Sequence, residues 1–386
     1  MATVVAANND PSPQIRKPRR MNSNTGAAKR PPQARRVAGL GRLSLSTAVI
    51  GAFALAAVPD TASACACGCG IFDIGANNAF PTMSDSGFSA WLRYSFMNQN
   101  KNWEGSSSAP ASDNADKQIK TSFYTFGGQY MINHAWGVMV ELPIFERSFT
   151  TTGDGGPYPL GQEATTKLTA LGDAVIQGVY AGFSPDMSTG VTFGVKLPTG
   201  DYTGPYIPPN AAAGTTGGMA YDRDTLPGTG STDIVLGGYN VGNLNADGSL
   251  DYFLQARYQF AVFTRDGATT NAAQTGASYR PGNEINLGAG ITYSLGAVGG
   301  FSKVAPVLQL VASKRNADGG PTASLNSGYR RFLVAPGIDL RAGNYKIFAN
   351  VSVPISQNVN TDVPSSGNVG QLVASTLWTL QLGYDF

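Results

Sequence analysis

The chain has 386 residues, of which only 13% are charged and 48 are glycine. Soluble globular domains carry about a quarter of their residues as charged side chains, so this composition argues against an ordinary soluble protein. The formal net charge of +2 arises from a basic N-terminal lead, and residues 65–386 are acidic. Nothing in this charge distribution indicates nucleic-acid binding.

The N-terminal region has the pattern of a secretory signal peptide. Basic residues precede an apolar stretch from Leu43 to Val58, and the small residues Ala62-Ser63-Ala64 follow it. The stretch is too short, and too interrupted by Ser and Gly, for a typical transmembrane helix. We therefore expect residues 1–64 to be a signal peptide with a basic lead, and cleavage would leave Cys65 as the first mature residue.

All three cysteines lie together, at Cys65, Cys67 and Cys69. Thiols at alternate positions suit a soft metal ion such as Cu(I) or Zn(II), although a fourth ligand would have to come from elsewhere. In an oxidising compartment disulfides compete, with one thiol left over, and Cys65 is also a candidate for lipidation. These three alternatives stay open. Residues 65–87 are predicted to be a Cys-containing periplasmic segment or a plug for the domain that follows.

Residues 88–386 contain twelve segments with the period-2 alternation of β-strands. In the seventh, Leu254 and Tyr258 fall on one face, whereas Gln255 and Arg257 fall on the other. The predicted strands cover residues 88–97, 119–131, 135–145, 168–183, 188–199, 231–242, 249–263, 283–296, 303–315, 330–341, 344–356 and 371–386.

The connections between these segments alternate in length. Those after even-numbered strands are short, such as Ala342-Gly343, whereas those after odd-numbered strands are long, and the longest runs from about Gly200 to Gly230. Short periplasmic turns, long external loops and an even strand count are typical of outer-membrane barrels. We therefore predict an all-β fold, an up-and-down antiparallel transmembrane β-barrel of about twelve strands in the outer membrane of a Gram-negative cell envelope.

The last predicted strand supports this fold, because its apolar residues alternate with polar ones and the chain stops on an aromatic residue. It looks like the C-terminal strand by which the assembly machinery recognises outer-membrane barrels. Leu372 and Ala374 are predicted to share its lipid-facing side with the five residues of the membrane-insertion signal. Those five are Trp378, Leu380, Leu382, Tyr384 and Phe386.

Three motifs rich in Gly and Asp occur at Leu171-Gly172-Asp173, at Leu197-Pro198-Thr199-Gly200-Asp201 and at Gly228-Thr229-Gly230-Ser231-Thr232-Asp233. Their spacing resembles that of the outer-membrane transporter family associated with the phenol-degradation (MetA) pathway. The resemblance covers mainly residues 168–242, and it implies a barrel channel for small, often aromatic or hydrophobic, compounds. From the residues alone, these glycines and aspartates fit turns and strand ends, and a direct role in gating or binding is the alternative.

Charged residues on the polar faces of the predicted strands are candidates to line a lumen. They either pair across it and hold it rigid, or bias passage toward anions and polarisable aromatics. These candidates are Arg93, Glu141, Lys196, Arg257, Glu284, Arg315, Arg331, Asp339, Arg341 and Lys346. His134 is the single histidine of the chain, so a Ser-His hydrolase is not supported, and we predict no enzyme activity.

Together these features predict a porin-like channel for the passive passage of small molecules, with hydrophobic or aromatic compounds as favoured solutes. The alternative is a non-conducting barrel that anchors a periplasmic metal or redox partner through the Cys-x-Cys-x-Cys segment. The expected partners are the lipid bilayer, the outer-membrane assembly machinery and a small-molecule solute. No cofactor is expected, apart from a soft metal at the cysteines.

Overall fold

The computed structural model describes residues 87–152, 162–202, 206–207, 219–220, 226–265, 279–320, 327–360 and 370–386. The predicted signal peptide and the three cysteines lie outside these ranges, and of the predicted segment 65–87 only Gly87 lies within them. Among the described residues, no helix has the length and apolarity needed to cross a membrane.

Twelve antiparallel strands pair in chain order, and the twelfth returns to pair with the first, so the sheet closes into a barrel. The predicted all-β barrel is thus confirmed. The strands are β1 Gly87–Glu104, β2 Asp116–Met131, β3 Trp136–Thr152, β4 in the two segments Glu163–Leu171 and Val175–Tyr180, β5 Thr189–Lys196, β6 Ser231–Asn243, β7 Leu250–Thr264, β8 Glu284–Tyr293, β9 Lys303–Arg315, β10 Tyr329–Ala342, β11 Tyr345–Val359 and β12 Gln371–Asp385.

Short elements lie in the long connections. Ser107–Ser108 pairs with the end of β1, and Ala111–Asp113 forms a 3-10 turn. Tyr206–Ile207 and Met219–Ala220 pair with each other between β5 and β6. Below, the end of the barrel with these long connections is named the loop end, and the end with the short connections is named the turn end.

Side chains alternate between the interior of the barrel and its outer surface. In β3, Val138 and Val140 are exposed on the outside, whereas Met139 between them is buried. The exposed outward side chains are mainly apolar and include Leu308, Leu310 and Trp378. Closure pairs every strand with two neighbours along most of its length, so a closed sheet with an apolar exterior can reside in lipid.

Prolines inside strands coincide with gaps in the backbone ladder. The pairing of β10 with β11 skips from Val334 to Gly337, on either side of Pro336. The pairing of β8 with β9 ends at Val307, next to Pro306. Pro354 stands at a register shift between β10 and β11. Because proline has no amide hydrogen, each of these residues is tolerated where the ladder is already interrupted.

The predicted lipid-facing side of β12 is wrong at its loop end. Met97 of β1 pairs with Leu377, whereas Gln99 pairs with Ala374, so β12 carries one extra residue between these two positions. A bulge interrupts the alternation of faces, and beyond this one the four side chains from Gln371 to Ala374 are all buried. Leu372 and Ala374 are consequently buried inside the barrel, while Trp378, Leu380, Leu382 and Phe386 on the other side of the bulge are exposed as predicted.

Candidate functional site

The fourth strand is interrupted at Gly172-Asp173-Ala174. Val175 pairs with Glu141 of β3, whereas Leu171 pairs with Ile144, so the interruption places one more residue in β4 than in β3. The bulge is held by the stretch after β5, because Thr199 Oγ1 donates to the carbonyl of Gly172 at 2.9 Å and accepts from the amide of Ala174 at 2.8 Å. The interruption is therefore a defined structure and not a frayed strand end.

The carboxylate of Asp173 organises this interruption. Its Oδ2 accepts from Lys196 Nζ at 2.8 Å, and from the amide and hydroxyl of Thr229 at 3.0 and 2.8 Å. Its Oδ1 accepts from the amide of Gly200 at 3.0 Å. One buried side chain thus binds the end of β5 and both ends of the longest connection.

A second carboxylate completes the group. Asp233 Oδ2 lies 3.3 Å from Lys196 Nζ, and Ser231 Oγ donates to Asp233 Oδ1 at 2.5 Å. Lys196 Nζ also donates to the hydroxyls of Thr229 and Ser231. We refer to Asp173, Lys196, Thr229, Ser231 and Asp233 as the Asp173 cluster. It unites the three motifs noted in the sequence, and it gives their Gly and Asp residues the structural role that turn chemistry predicts.

Backbone contact between two of these motifs requires glycine. A Cβ at Gly228 would lie 2.3 Å from the carbonyl oxygen of Gly200, and a Cβ at Gly200 would lie 2.8 Å from the Cα of Gly228. The amide of Gly228 also donates to the carbonyl of Asp201 at 2.8 Å. The two ends of the longest connection, at Gly200 and at Gly228, therefore contact each other through their backbones.

Among the described residues, the hydrogen-bonded wall of the barrel has a gap on the loop side of the Asp173 cluster. Glu163–Leu171 pairs with β3 along one edge, but β5 ends at Lys196, level with Val175. In the part of the chain that the structure describes, no strand pairs with the other edge of Glu163–Leu171. Leu171 is the last residue of this edge, at its end nearer the turn end. Its side chain points to the outer surface of the barrel and is 39% exposed.

Inward charges continue from the Asp173 cluster around the interior. Gln259 Nε2 donates to Asp233 Oδ2 at 2.6 Å, and Arg257 donates to Gln259 Oε1 at 3.1 Å. Gln259 then pairs in register with Glu284, and Glu284 with Arg315. The polar belt so formed runs from β4 to β9 at one level of the barrel.

Arginines close this belt on its far side. Arg315 donates to Asp318 at 2.5 Å, so its charge is matched by a buried carboxylate. Arg331 on β10 is buried and stacks on the ring of Tyr329, with 4.1 Å between its guanidinium carbon and the ring centroid. Five of the ten lumen candidates therefore lie in this belt, namely Lys196, Arg257, Glu284, Arg315 and Arg331.

Two of the other candidates pair across the interior. Arg93 Nη2 donates to Glu141 Oε1 at 2.7 Å, and Arg93 Nη1 donates to Gln381 at 3.0 Å. This pair joins β1, β3 and β12, as expected if charges hold a narrow lumen rigid.

The last three candidates lie near the turn end. Lys346 Nζ contacts Asp385 at 2.6 Å, and Arg341 lies 4.0 Å from Asp339. Asp339 is also 3.8 Å from Lys303, a basic residue absent from the predicted set. All ten candidates therefore point inward, but the structure divides them into three groups at different levels.

Apolar side chains fill much of the space between these charged groups. Phe253, Val307 and Phe348 form one buried cluster, and Val311 with Leu333 forms another. The alternation in sequence places these apolar residues on the inward faces of their strands, but it does not show that they contact one another. The interior is therefore not uniformly polar, and apolar patches alternate with charges along it.

The predicted metal site is untested, because Cys65, Cys67 and Cys69 lie outside the described residues. His134 lies in the turn between β2 and β3. In the described ranges, no group of three or more His, Cys, Asp or Glu side chains is arranged to hold a metal ion. The metal, disulfide and lipid alternatives for the cysteines stay predictions.

Comparison with solved structures finds bacterial outer-membrane barrels. The COG4313 outer membrane channel from Pseudomonas putida F1 matches with a TM-score of 0.55 at 10% identity, over 82% of this chain and 100% of that chain. The beta domain of the Bordetella autotransporter Brka matches with 0.44 at 14% identity, over 78% and 99%. The Ralstonia pickettii toluene transporter TbuX matches with 0.33 at 10% identity, over 78% and 90%.

At these identities the comparisons show the fold alone, and only the first score is high enough to support an argument. This chain is an outer-membrane β-barrel. No family model matches the chain, and no curated protein matches it. The resemblance to the family associated with phenol degradation therefore rests on the three motifs themselves.

Proposed function

We propose that this chain is a channel for the passive passage of small hydrophobic or aromatic molecules across the outer membrane. The observation that carries the proposal is the gap beside Leu171 in the described part of the wall. A polar solute needs only a route along the barrel axis, whereas an apolar solute gains from a side route that avoids water. The exposed outward side chain of Leu171 makes the inner end of the gap apolar.

The interior supports a narrow and partly apolar route. Twelve strands enclose less space than the sixteen to eighteen of general porins. The buried clusters around Phe253 and Leu333 reduce that space further and place apolar surface where a water-filled pore would have polar side chains. These features favour small apolar solutes over sugars or hydrated ions, in agreement with what the motif resemblance implies.

The Asp173 cluster has a natural place in this function. It binds β5 and both ends of the longest connection at the inner margin of the gap. Buried ion pairs with several hydrogen bonds hold a specific geometry. We infer that the cluster sets how far the gap extends toward the turn end.

A substitution at the gap tests the proposed route. Leu171→Lys places a charge on the outward surface at the end of the unpaired edge nearest the turn end. A lysine on the lipid face costs about 2–4 kcal/mol at the membrane midplane and about 0–1 kcal/mol near the interfaces, so heat-modified mobility on gels must show that the variant folds. We expect slower uptake of a neutral aromatic hydrocarbon by intact cells, with unchanged ion conductance of the purified protein. Thr165→Lys, farther along the same edge, is the matched control and should leave uptake unchanged. Uptake that is equal in cells with and without the wild-type chain would overturn the proposal.

Planar-bilayer conductance tests the channel against the anchoring alternative. The wild-type chain and a variant without residues 65–86 are compared, because those residues are predicted to hang in the periplasm or plug the lumen. Open steps in either form support the channel. Silence in both forms favours a non-conducting barrel that holds a periplasmic metal or redox partner through Cys65, Cys67 and Cys69.

A further inference from the structure

We propose that Arg257 and Arg331 form a binding subsite for the carboxylate of an amphipathic hydrophobic acid inside the lumen. The proposal rests on the channel function above and narrows its solutes to molecules with an anionic head and an apolar tail. Four observations on the described residues support it: a guanidinium with unsatisfied donors, a second arginine without an ion pair, fewer carboxylates than arginines between the two, and adjacent apolar side chains.

Arg331 is the first observation. It is only 7% exposed, yet its Nε and Nη2 atoms have no hydrogen-bond partner among the described residues. Its contact with the ring of Tyr329 holds the guanidinium in place without using its hydrogen-bond donors. A buried cation that keeps free donors costs stability, so its presence indicates a ligand that uses them. Two parallel N–H groups of a guanidinium match the two oxygens of a carboxylate.

Arg257 is the second observation. It lies on the inner face of β7, and its hydrogen bond in the described structure goes to a neutral amide, that of Gln259. It makes no ion pair with any described carboxylate. It is partly exposed, so its guanidinium remains accessible from the interior of the barrel.

The balance of charge is the third observation. Glu284 lies within electrostatic range of Arg257, Arg315 and Arg331, and it hydrogen-bonds to Asn286 at 2.7 Å. Arg315 is neutralised by Asp318. From Arg257 to Arg331, one carboxylate is therefore left for two arginines, while the surplus carboxylate of the Asp173 cluster accepts from Gln259 and not from an arginine. A further carboxylate at the two arginines would balance this segment of the belt.

The apolar surface is the fourth observation. Leu333 lies two residues from Arg331 on the same inner face of β10, and it packs on Val311 of β9. Farther toward the turn end, Val307 packs with Phe253 and Phe348. These side chains are buried against one another, so the tail of a molecule with its carboxylate on the arginines would insert between them, where each buried methylene contributes about 0.8 kcal/mol.

Calorimetric titration of the purified full chain in a non-ionic detergent tests the subsite. Decanoate is the probe, and decanol, which has the same tail without the charge, is compared with it. We expect decanoate to bind the wild-type chain more tightly than decanol does, by a margin that shrinks as salt is added. Arg331→Gln and Arg257→Gln should each weaken decanoate binding roughly tenfold, with decanol unaffected.

Arg330→Gln is the matched control. It removes the same charge from the neighbouring residue, whose side chain points outward, and should leave decanoate binding unchanged. Arg331→Gln should fold normally, because replacing a buried, unsatisfied cation with a neutral side chain should not lower thermal stability. Weaker decanoate binding would then not be due to unfolding. Heat-modified mobility on gels checks this for every variant.

The outcomes separate the subsite from the channel. If decanol binds as well as decanoate, or if Arg331→Gln binds decanoate like Arg330→Gln, the subsite is refuted while the channel for neutral apolar molecules stands. If neither probe binds and the chain also fails to speed hydrocarbon uptake, the subsite and the proposed function are both refuted.

Discussion

Replacement of Asp173 by alanine tests whether one carboxylate secures the break in the wall. The change removes the acceptor of Lys196, of the Gly200 amide and of both Thr229 donors. Lys196 keeps Asp233 at 3.3 Å, so its charge is not left wholly unpaired. Loss of one partner from a buried ion pair costs about 3–5 kcal/mol, and the remaining carboxylate places the expected value near the lower limit, at about 3 kcal/mol.

The assay is urea unfolding of the purified barrel in detergent micelles, followed by tryptophan fluorescence. Asp173→Asn should fall between Asp173→Ala and wild type, because the amide keeps one oxygen that can accept from Gly200. Hydrogen exchange gives a second measurement, since the amides of Gly200 and Thr229 should exchange faster once their acceptor is absent.

Asp247→Ala is the control for this comparison. Asp247 is exposed in the turn between β6 and β7, where it accepts from Ser249, and its loss should change stability by no more than about 0.5 kcal/mol. If Asp173→Ala is no less stable than Asp247→Ala, and the two amides exchange at wild-type rates, then the Asp173 cluster does not secure the wall.

Three further outcomes are expected. Gly228→Ala should destabilise the barrel by about 1–3 kcal/mol in the same urea assay, because its Cβ would meet the Gly200 carbonyl oxygen at 2.3 Å, and a wild-type midpoint would contradict the backbone contact. Deletion of Phe386, which is 73% exposed at the end of β12, should leave unassembled protein in the periplasm, as fractionation would show. A label at Ala109 should be reached on intact cells and one at Asp247 should not; labelling of Asp247 would mean that the loop end faces the periplasm.

The barrel could be predicted because its strands obey a local rule. Side chains that alternate between lipid and interior leave a period of two in the chain, and the connections repeat short and long. Each predicted strand is present, although β1 extends to Glu104 and β3 to Thr152 beyond their predicted ends. These extensions are less apolar than the middle of the strands. The alternation of apolar and polar residues therefore ends before the backbone pairing does.

The partners of the inward charges could not be predicted in the same way. Thr229 contacts Asp173 across 56 residues of sequence, and Arg93 contacts Glu141 across 48. Such pairs depend on the register between strands, and a single bulge changes that register. The error at Leu372 and Ala374 has this origin, since an alternation interrupted only at Val373 and Leu377 does not show where β12 carries an extra residue.

The seam between the first and last strands also determines when the barrel can form. The hydroxyl of Ser89 donates to the carboxylate of Asp385 at 2.9 Å, across 296 residues of sequence. The unpaired edge of β1 must therefore wait for the last residues to be synthesised before it finds its partner. A pairing between such distant residues forms slowly, and the two edges that it leaves open until then are prone to aggregate. For this protein, protection of a nearly complete but unclosed chain is an unavoidable step of its biogenesis.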